Sequence, residues 1–310
     1  MQTRRFLMGF LASAFMIAIA ASACVAADEV QLQLRLKEGQ SYRLRITGDT
    51  KMTQTLQGQR LEVKEWGSFG YVFDVQSVDA NGDAAIKVTH QSIQYREDGP
   101  AGRVELDSTK PGAKVSPLLA GMAAIAGQSF TMKVTPGGTI RSLQGGDEMV
   151  RQAAKSLSTL DEPWKTSMAK ILEDHFGNLA LRGAMGGLFS LYPDKPVAVG
   201  ERWSKSLTST RGRVEAFCKI TERKDGVSFI KVYSVITPDE NAVPVQMGLA
   251  SVKSAISGKE EGTMEVEEAT GMIVRFKTSG EASGSMKLIT QAGEMPIPTT
   301  LAGSTTMERF

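Results

Sequence analysis

Stretches in which apolar and polar residues alternate one for one, several of them far longer than an ordinary strand, leave this chain few folds. Val30, Leu32, Leu34 and Leu36 alternate with Gln31, Gln33, Arg35 and Lys37. A period of two sends one set of side chains to a core and the other to water, so this run reads as a half-buried strand. Glu38-Gly39-Gln40 turns the chain, and Tyr42, Leu44 and Ile46 open a second run that continues in more polar form to Thr55. Gln57-Gly58-Gln59 marks a hairpin, and residues 61–78 return with Trp66, Phe69, Tyr71, Phe73 and Val75. Asn81-Gly82 marks the next hairpin, followed by a run over 85–95 that carries Ile86, Val88, His90 and Ile93. Long antiparallel strands joined by tight turns form a meander that twists and curls. The expected product is a barrel, or a half-barrel closed by helices.

Helical patterns interrupt the alternation. Ser116 suits an N-cap and Pro117 the first helical position, with Gly127 as the stop, so a short helix is expected over 116–126. Its residues Leu118, Leu119, Met122 and Ile125, set among alanines, make it apolar almost all round. Such a helix is buried or touches something apolar. Phe130, Met132 and Val134 then alternate into the Pro136-Gly137-Gly138 turn, and residues 139–143 pair back. A helix with Met149, Val150, Ala153 and Leu157 on one face follows. Asp161 with Pro163 starts another, in which Trp164, Met168, Ile171 and Leu172 repeat at helical spacing. Residues 179–189 are Gly-rich and partly helical.

Residues 192–203 then form a seam. Pro193 and Pro196 forbid a helix across it, and Gly200-Glu201-Arg202-Trp203 starts a new strand on an aromatic anchor. Strands are expected over 213–223, 227–236, 247–257, 262–267, 272–280, 283–291 and 299–307, with residues 279–285 as a Ser/Gly-rich bend. The fold class is therefore mainly β (α+β). Two long-stranded, antiparallel, curled meander halves, 28–144 and 193–310, flank a helical segment at 145–192. Gly39-Gln40-Ser41-Tyr42 and Gly200-Glu201-Arg202-Trp203 share a pattern, Gly, two polar residues, then an aromatic entering a strand, which hints at duplication.

The first 27 residues have the order of a secretory signal peptide. Arg4 and Arg5 precede an apolar run over 6–20, and small residues follow. Ala21-Ser22-Ala23-Cys24 is a degenerate lipobox, whereas Val25-Ala26-Ala27 offers an ordinary cut before Asp28. Both remain open: soluble export to the periplasm or outside, or a lipid anchor at Cys24, which alone would bring the chain to a membrane. The chain has 36 basic and 34 acidic residues. Arg4 and Arg5 leave with the signal, so the mature chain is neutral. That argues against a nucleic-acid partner, which needs a basic footprint. After an ordinary cut only Cys218 remains, so no internal disulfide forms and a core must hold the fold.

No chemistry-bearing motif stands out. His175 follows Glu173 and Asp174, but three consecutive helical residues point apart and cannot close on one metal. His90 and Cys218 lie in strand patterns and read as packed side chains. Glu260, Glu261, Glu265, Glu267 and Glu268 read as a solvated acidic face. No catalytic residue, metal site or cofactor is expected. What remains is the apolar inventory, with 15 Met, a side chain that suits surfaces accepting varied shapes. The first expectation is an exported, non-enzymatic envelope protein holding a lipid or other apolar molecule in its curled sheet, with Leu118, Leu119, Met122, Ile125, Trp164 and Met168 as candidate contacts. The alternative is a structural or protein-interaction module of the envelope with an envelope protein as partner and no small-molecule ligand. Tyr192, Pro193, Pro196, Gly200 and Trp203 are expected to act structurally.

Three places carry a family resemblance: Leu36-Lys37-Glu38-Gly39-Gln40-Ser41-Tyr42, Gly127-Gln128-Ser129-Phe130-Thr131-Met132 with Pro136-Gly137-Gly138, and Tyr192-Pro193-Asp194-Lys195-Pro196-Val197 with Gly200-Glu201-Arg202-Trp203. In these the chain resembles an uncharacterised family of secreted bacterial proteins known only as a domain of unknown function. The resemblance implies export and supplies no catalytic residues. In architecture alone, a β-meander with a helical plug is similar to periplasmic lipoprotein carriers of the half-barrel type.

Overall fold

A computed structural model describes residues 28–100, 102–110, 112, 115–209, 212–239, 244–247, 250–290 and 293–310. The expected signal peptide and Cys24 lie outside these residues.

The period-two runs become very long strands. They are β1 (Ser41–Leu56), β2 (Gln59–Val78), β3 (Ala84–Gly99), β4 (Gly102–Asp107), β5 (Ser129–Val134), β6 (Ile140–Gln144), β7 (Arg202–Ser209), β8 (Gly212–Lys224), β9 (Val227–Thr237), β10 (Val245–Met247), β11 (Ala250–Glu267), β12 (Ile273–Thr290) and β13 (Gly293–Arg309). All pair antiparallel in one sheet, in the order β6-β5-β3-β2-β1-β13-β12-β11-β9-β8-β7, with β4 on β3 and β10 on β11. The end strands β6 and β7 are not paired to each other, so the sheet is an open, curled meander rather than a closed barrel. Both expected meander halves are present, and they are fused along the β1–β13 ladder, where Leu44 faces Arg309 and Gln54 faces Thr299.

Two local expectations change. Residues 30–36 keep the expected alternation of burial, Val30, Leu32, Leu34 and Leu36 inward, but form no ladder. Their backbone bonds instead go to three separate loops. Val30 bridges Val197, Leu34 N–H donates to Pro136 O, and Arg35 N–H donates to Thr270 O. An extended strap satisfies its polar groups there just as a strand would. The bend expected over 279–285 is instead the middle of β12, which runs unbroken from Ile273 to Thr290, and 247–257 and 262–267 lie in one strand, β11. The reason is glycine. On the concave face Gly280 pairs with Gly303, Gly48 with Gly67, and Gly258 and Gly262 lie alongside on β11. A Cβ added at Gly280 would strike Lys259 O, and one at Gly262 would strike Lys277 O. The strands therefore continue but coil sharply where side chains are missing.

Helices fill one end of the trough. They are α1 (Ala120–Ile125), α2 (Gly146–Ala154), α3 (Glu162–Phe176) and α4 (Asn178–Phe189). Asp161 caps α3 by accepting from Trp164 N–H. Asn178, at the start of α4, accepts from Gly146 N–H and donates to Asp147, which fixes α4 against α2. The apolar stripes of these helices meet the sheet's inner face, where Phe189 stacks edge-on against Phe73 at 6.1 Å. Phe130, Ile125, Met149, Leu157 and Phe189 are all buried in one core. The seam closes this end. Tyr192 is buried and donates its hydroxyl to Gly271 O, and Trp203 donates its indole N–H to Leu191 O at 2.7 Å. The two similar Gly-initiated turns share a geometry. Gln40 N–H donates to Lys37 O and its side chain accepts from Lys37 N–H, while Glu201 N–H donates to Ala198 O and its side chain accepts from Ala198 N–H.

Candidate functional site

Beyond the glycine positions the helices stop and the strands continue. There the inner face carries Met52 and Leu56 on β1, Leu61 and Val63 on β2, Ile256 on β11, Met286 and Leu288 on β12, and Met295, Ile297 and Leu301 on β13. All but Ile256 are half-buried, and no helix covers them. The residues between them point outward and are polar or small: Lys51 and Thr53 on β1, Glu281, Ser283 and Lys287 on β12, and Thr300 and Ala302 on β13. A membrane-spanning barrel places its apolar band outward and its polar residues inward. This sheet has the reverse arrangement, so its apolar surface is the inside of the trough.

The curl closes this trough into a slot. Thr50 of β1 and Ile236 of β9 line the same cavity of about 140 Å³, although β13, β12 and β11 separate those strands in the sheet. Ile256, Ala282, Leu301 and the Gly280–Gly303 pair form its apolar wall, and Asp49, Ser254, Glu260, Thr278, Ser279, Glu281, Ser304 and Thr305 line the rest with polar groups. Farther along, Gln54 reaches over β13 to the sulfur of Met286 at 3.3 Å. A second and larger concavity, about 870 Å³, lies on the outer face over β7, β8, β9 and β11.

The candidate ligand contacts read from the sequence fall elsewhere. Ile125 and Leu119 are buried in the helix-covered core, and Met122 and Met168 pack against it. Leu118 and Trp164 are exposed, at 41% and 54%. None of the six lines either concavity. Of the seam residues, Tyr192 and Pro193 are buried, Trp203 is half-buried, and Pro196 and Gly200 are exposed. The slot residues escaped the sequence reading because strand partners three or four positions apart in a curled sheet leave no local pattern. The available signal was glycine at even spacing inside strand-like runs, Gly258 with Gly262 and Gly280 with Gly284.

The titratable residues do not converge. His90 is fully buried among Tyr71, Phe130 and Phe176, its ring nitrogens without a hydrogen-bond partner, and burial pushes its pKa down to about 4. His175 is exposed on α3 with Nδ1 at 2.8 Å from Ile171 O. Cys218 is buried, and burial pushes its thiol up to about 12. The acidic cluster is separated into pairs. Glu267 binds Arg309 and Thr270, Glu268 binds Arg223 and Ser228, and Glu265 lies 3.4 Å from Arg275. Hydrogen bonds from those partners hold the Glu267 and Glu268 carboxyls below their usual range. Among the described residues no three His, Cys, Asp or Glu side chains are placed to hold a metal ion, and no helix is long and apolar enough to cross a membrane.

Fold and site together define a class: an open, strongly curled antiparallel sheet, apolar on its concave face and filled by helices at one end. The chain belongs to a family of unknown function, DUF6263, whose pattern matches residues 81–273. That range includes two of the three motif places, around Gly127 and Tyr192, and leaves out the one at residues 36–42. No curated protein matches the chain. Among solved structures it is similar to lipovitellin, described for its lipid–protein interactions, at 10% identity with a TM-score of 0.47 over 88% of this chain and 25% of that one. It thus spans about a quarter of the lipovitellin chain. An outer-membrane channel from Pseudomonas putida F1 aligns at 7% identity and a TM-score of 0.23, covering 89% of this chain and 97% of that one. A domain assigned to outer-membrane lipoprotein sorting from Vibrio parahaemolyticus aligns at 11% identity and a TM-score of 0.14, covering 84% and 83%. Scores this low transfer nothing from those proteins to this one.

Proposed function

We propose that this is an exported, non-enzymatic envelope protein that holds an apolar chain, such as a lipid acyl tail, in the slot at the uncovered end of its sheet. One observation carries the reading: the inner face stays apolar past the point where the protein's own helices end. Apolar surface kept from water is favourable at about 25 cal/mol per Å². A face patterned to be covered and left uncovered by its own chain is therefore suited to a guest. The slot is narrow, and typical pockets for compact ligands run to about 300–1,000 Å³. A flexible chain fits better than a fused ring system. The non-enzymatic part rests on the separation of His90, His175 and Cys218, each held in a structural setting. Export rests on the order of residues 4–27.

Native mass spectrometry of protein purified without detergent tests this, together with uptake of a fluorescent fatty acid. Bound acyl lipid, displaced by the fatty acid and lost in Leu301→Glu, is the expected result. Apo protein alone with no uptake would remove the reading and leave the interaction module, which the dense packing of the helix-covered end already suits.

A further inference from the structure

The outer face of β7, β8 and β9 carries a row of cations that the sheet itself does nothing to neutralise. Arg202 pairs with Lys219 across β7–β8, and Lys219 with Lys231 across β8–β9. The three therefore stand side by side on one face. Like charges directly opposite in a sheet are destabilising. Elsewhere this sheet compensates such a pair. Lys51 faces Lys64 across β1–β2, and Glu62 bridges both at 2.8 and 3.2 Å. Among the described residues Arg202, Lys219 and Lys231 make no ion pair.

The next row along the same face is Ser204, Phe217, Tyr233 and Glu261. Phe217 is 42% exposed, and its ring lies 6.2 Å from that of Tyr233 at an interplanar angle of 34°. Both rows line the open concavity of about 870 Å³, with Glu261 as its one acidic side chain. An uncompensated cation row and an exposed Phe217 beside a half-buried Tyr233 each cost free energy, and here they adjoin. Cations near an anionic bilayer gain about 1 kcal/mol each, and aromatic side chains settle at the headgroup level.

We propose that this outer face docks the protein onto an anionic lipid bilayer, with the cation row on the headgroups and Phe217 and Tyr233 at the interface. The proposal rests on the acyl-chain reading, since a protein that loads or delivers a lipid tail must meet a bilayer. The two places are joined by the same strands. Tyr233 and Ile236 stand three residues apart on β9 on opposite faces, and Glu260 and Glu261 are neighbours on β11.

Co-sedimentation of the whole mature chain with vesicles tests it, using phosphatidylglycerol mixed into phosphatidylcholine against phosphatidylcholine alone. Binding to the anionic vesicles only, weakened by salt, is expected. The double variant K219E/K231E should lose at least about 25-fold, about fivefold for each lysine charge removed, and the added carboxylates weaken binding further. Phe217→Ser should weaken binding and Glu261→Lys should strengthen it, with the melting transition of each variant confirming that it is folded. Equal binding to both vesicles, no binding, unchanged binding in folded K219E/K231E, or binding of inorganic phosphate without vesicles would each overturn the docking site. Fatty-acid uptake without vesicle binding removes this site and leaves the slot; vesicle binding without uptake removes the slot and leaves the docking surface.

Discussion

The two ends of the sheet's concave face start from the same residue pattern and end differently. At one end Phe73, Phe130, Met132 and Ile86 meet four helices and a strap, and every one of them is buried. At the other, Met52, Met286, Leu288 and Leu301 have no helix over them and stay half-buried. The strand alternation runs through both, with more polar inward positions, such as Thr50, Gln54 and Ser254, at the second. What differs is what the rest of the chain supplies to cover it. Stability therefore concentrates where the chain covers itself, and the proposed guest would occupy the place where it does not.

The largest expected difference between the ends is in unfolding. Phe189→Ala removes the ring that stacks on Phe73 and should cost about 3–5 kcal/mol, read as a lower urea midpoint. Should it cost as little as a substitution in the slot, the two ends would not be distinct.

His90 gives the covered end a pH signature. Its pKa is pushed below the unfolded value of about 6.5, so the unfolded chain binds the proton more readily. Its contribution is fully present above about pH 6.5 and is lost as pH falls towards 4, amounting to about 3 kcal/mol. Urea titrations across that window should show the decline in the wild type and a flatter profile in His90→Leu. An equal slope in both would place the sensitivity elsewhere.

Trp203→Ala should cost about 1–3 kcal/mol, less than a fully buried Trp, because the side chain is half-buried and its N–H bonds to Leu191 O. An unchanged melting temperature would show that the seam is held without it. Gly280→Val probes the boundary between the ends. The added side chain strikes Lys259 O, so the coil must relax, at about 1–3 kcal/mol, and fatty-acid uptake should fall with it. The smallest stability effect is expected for Met286→Ser, within about 0.5–1 kcal/mol, yet uptake should drop. A large loss of stability there would mean that the slot is an ordinary core.

Much of the fold was legible in advance. Hairpins at Gly58 and Gly82 form where glycine supplies the positive φ, at 80° and 81°. Asp161 caps its helix, and the short apolar helix near 116–126 lies against the core. The slot and the cation row were not legible, because each is assembled across strands. Arg202, Lys219 and Lys231 are separated by 17 and 12 positions in the chain, and only the ladder register sets them in line. The six contacts expected on the helices lie away from both concavities for a related reason. A helix apolar all round suits burial or a ligand equally well, and here the core takes Leu119 and Ile125 while Leu118 and Trp164 face outward.

The sequence by itself determined most of the turns, the helical interruption and the alternation of faces, because these follow from local periodicity and from the backbone freedom of glycine and proline. Only the tertiary structure decided that the first and last long strands join the two halves into one sheet. The tertiary structure also made residues 30–36 a strap rather than a strand, and curled β1 towards β9 around a column of glycines. Those outcomes depend on which distant backbone groups satisfy one another and on where side chains are absent across neighbouring strands. Both are properties of pairing, and a single stretch of chain does not contain them.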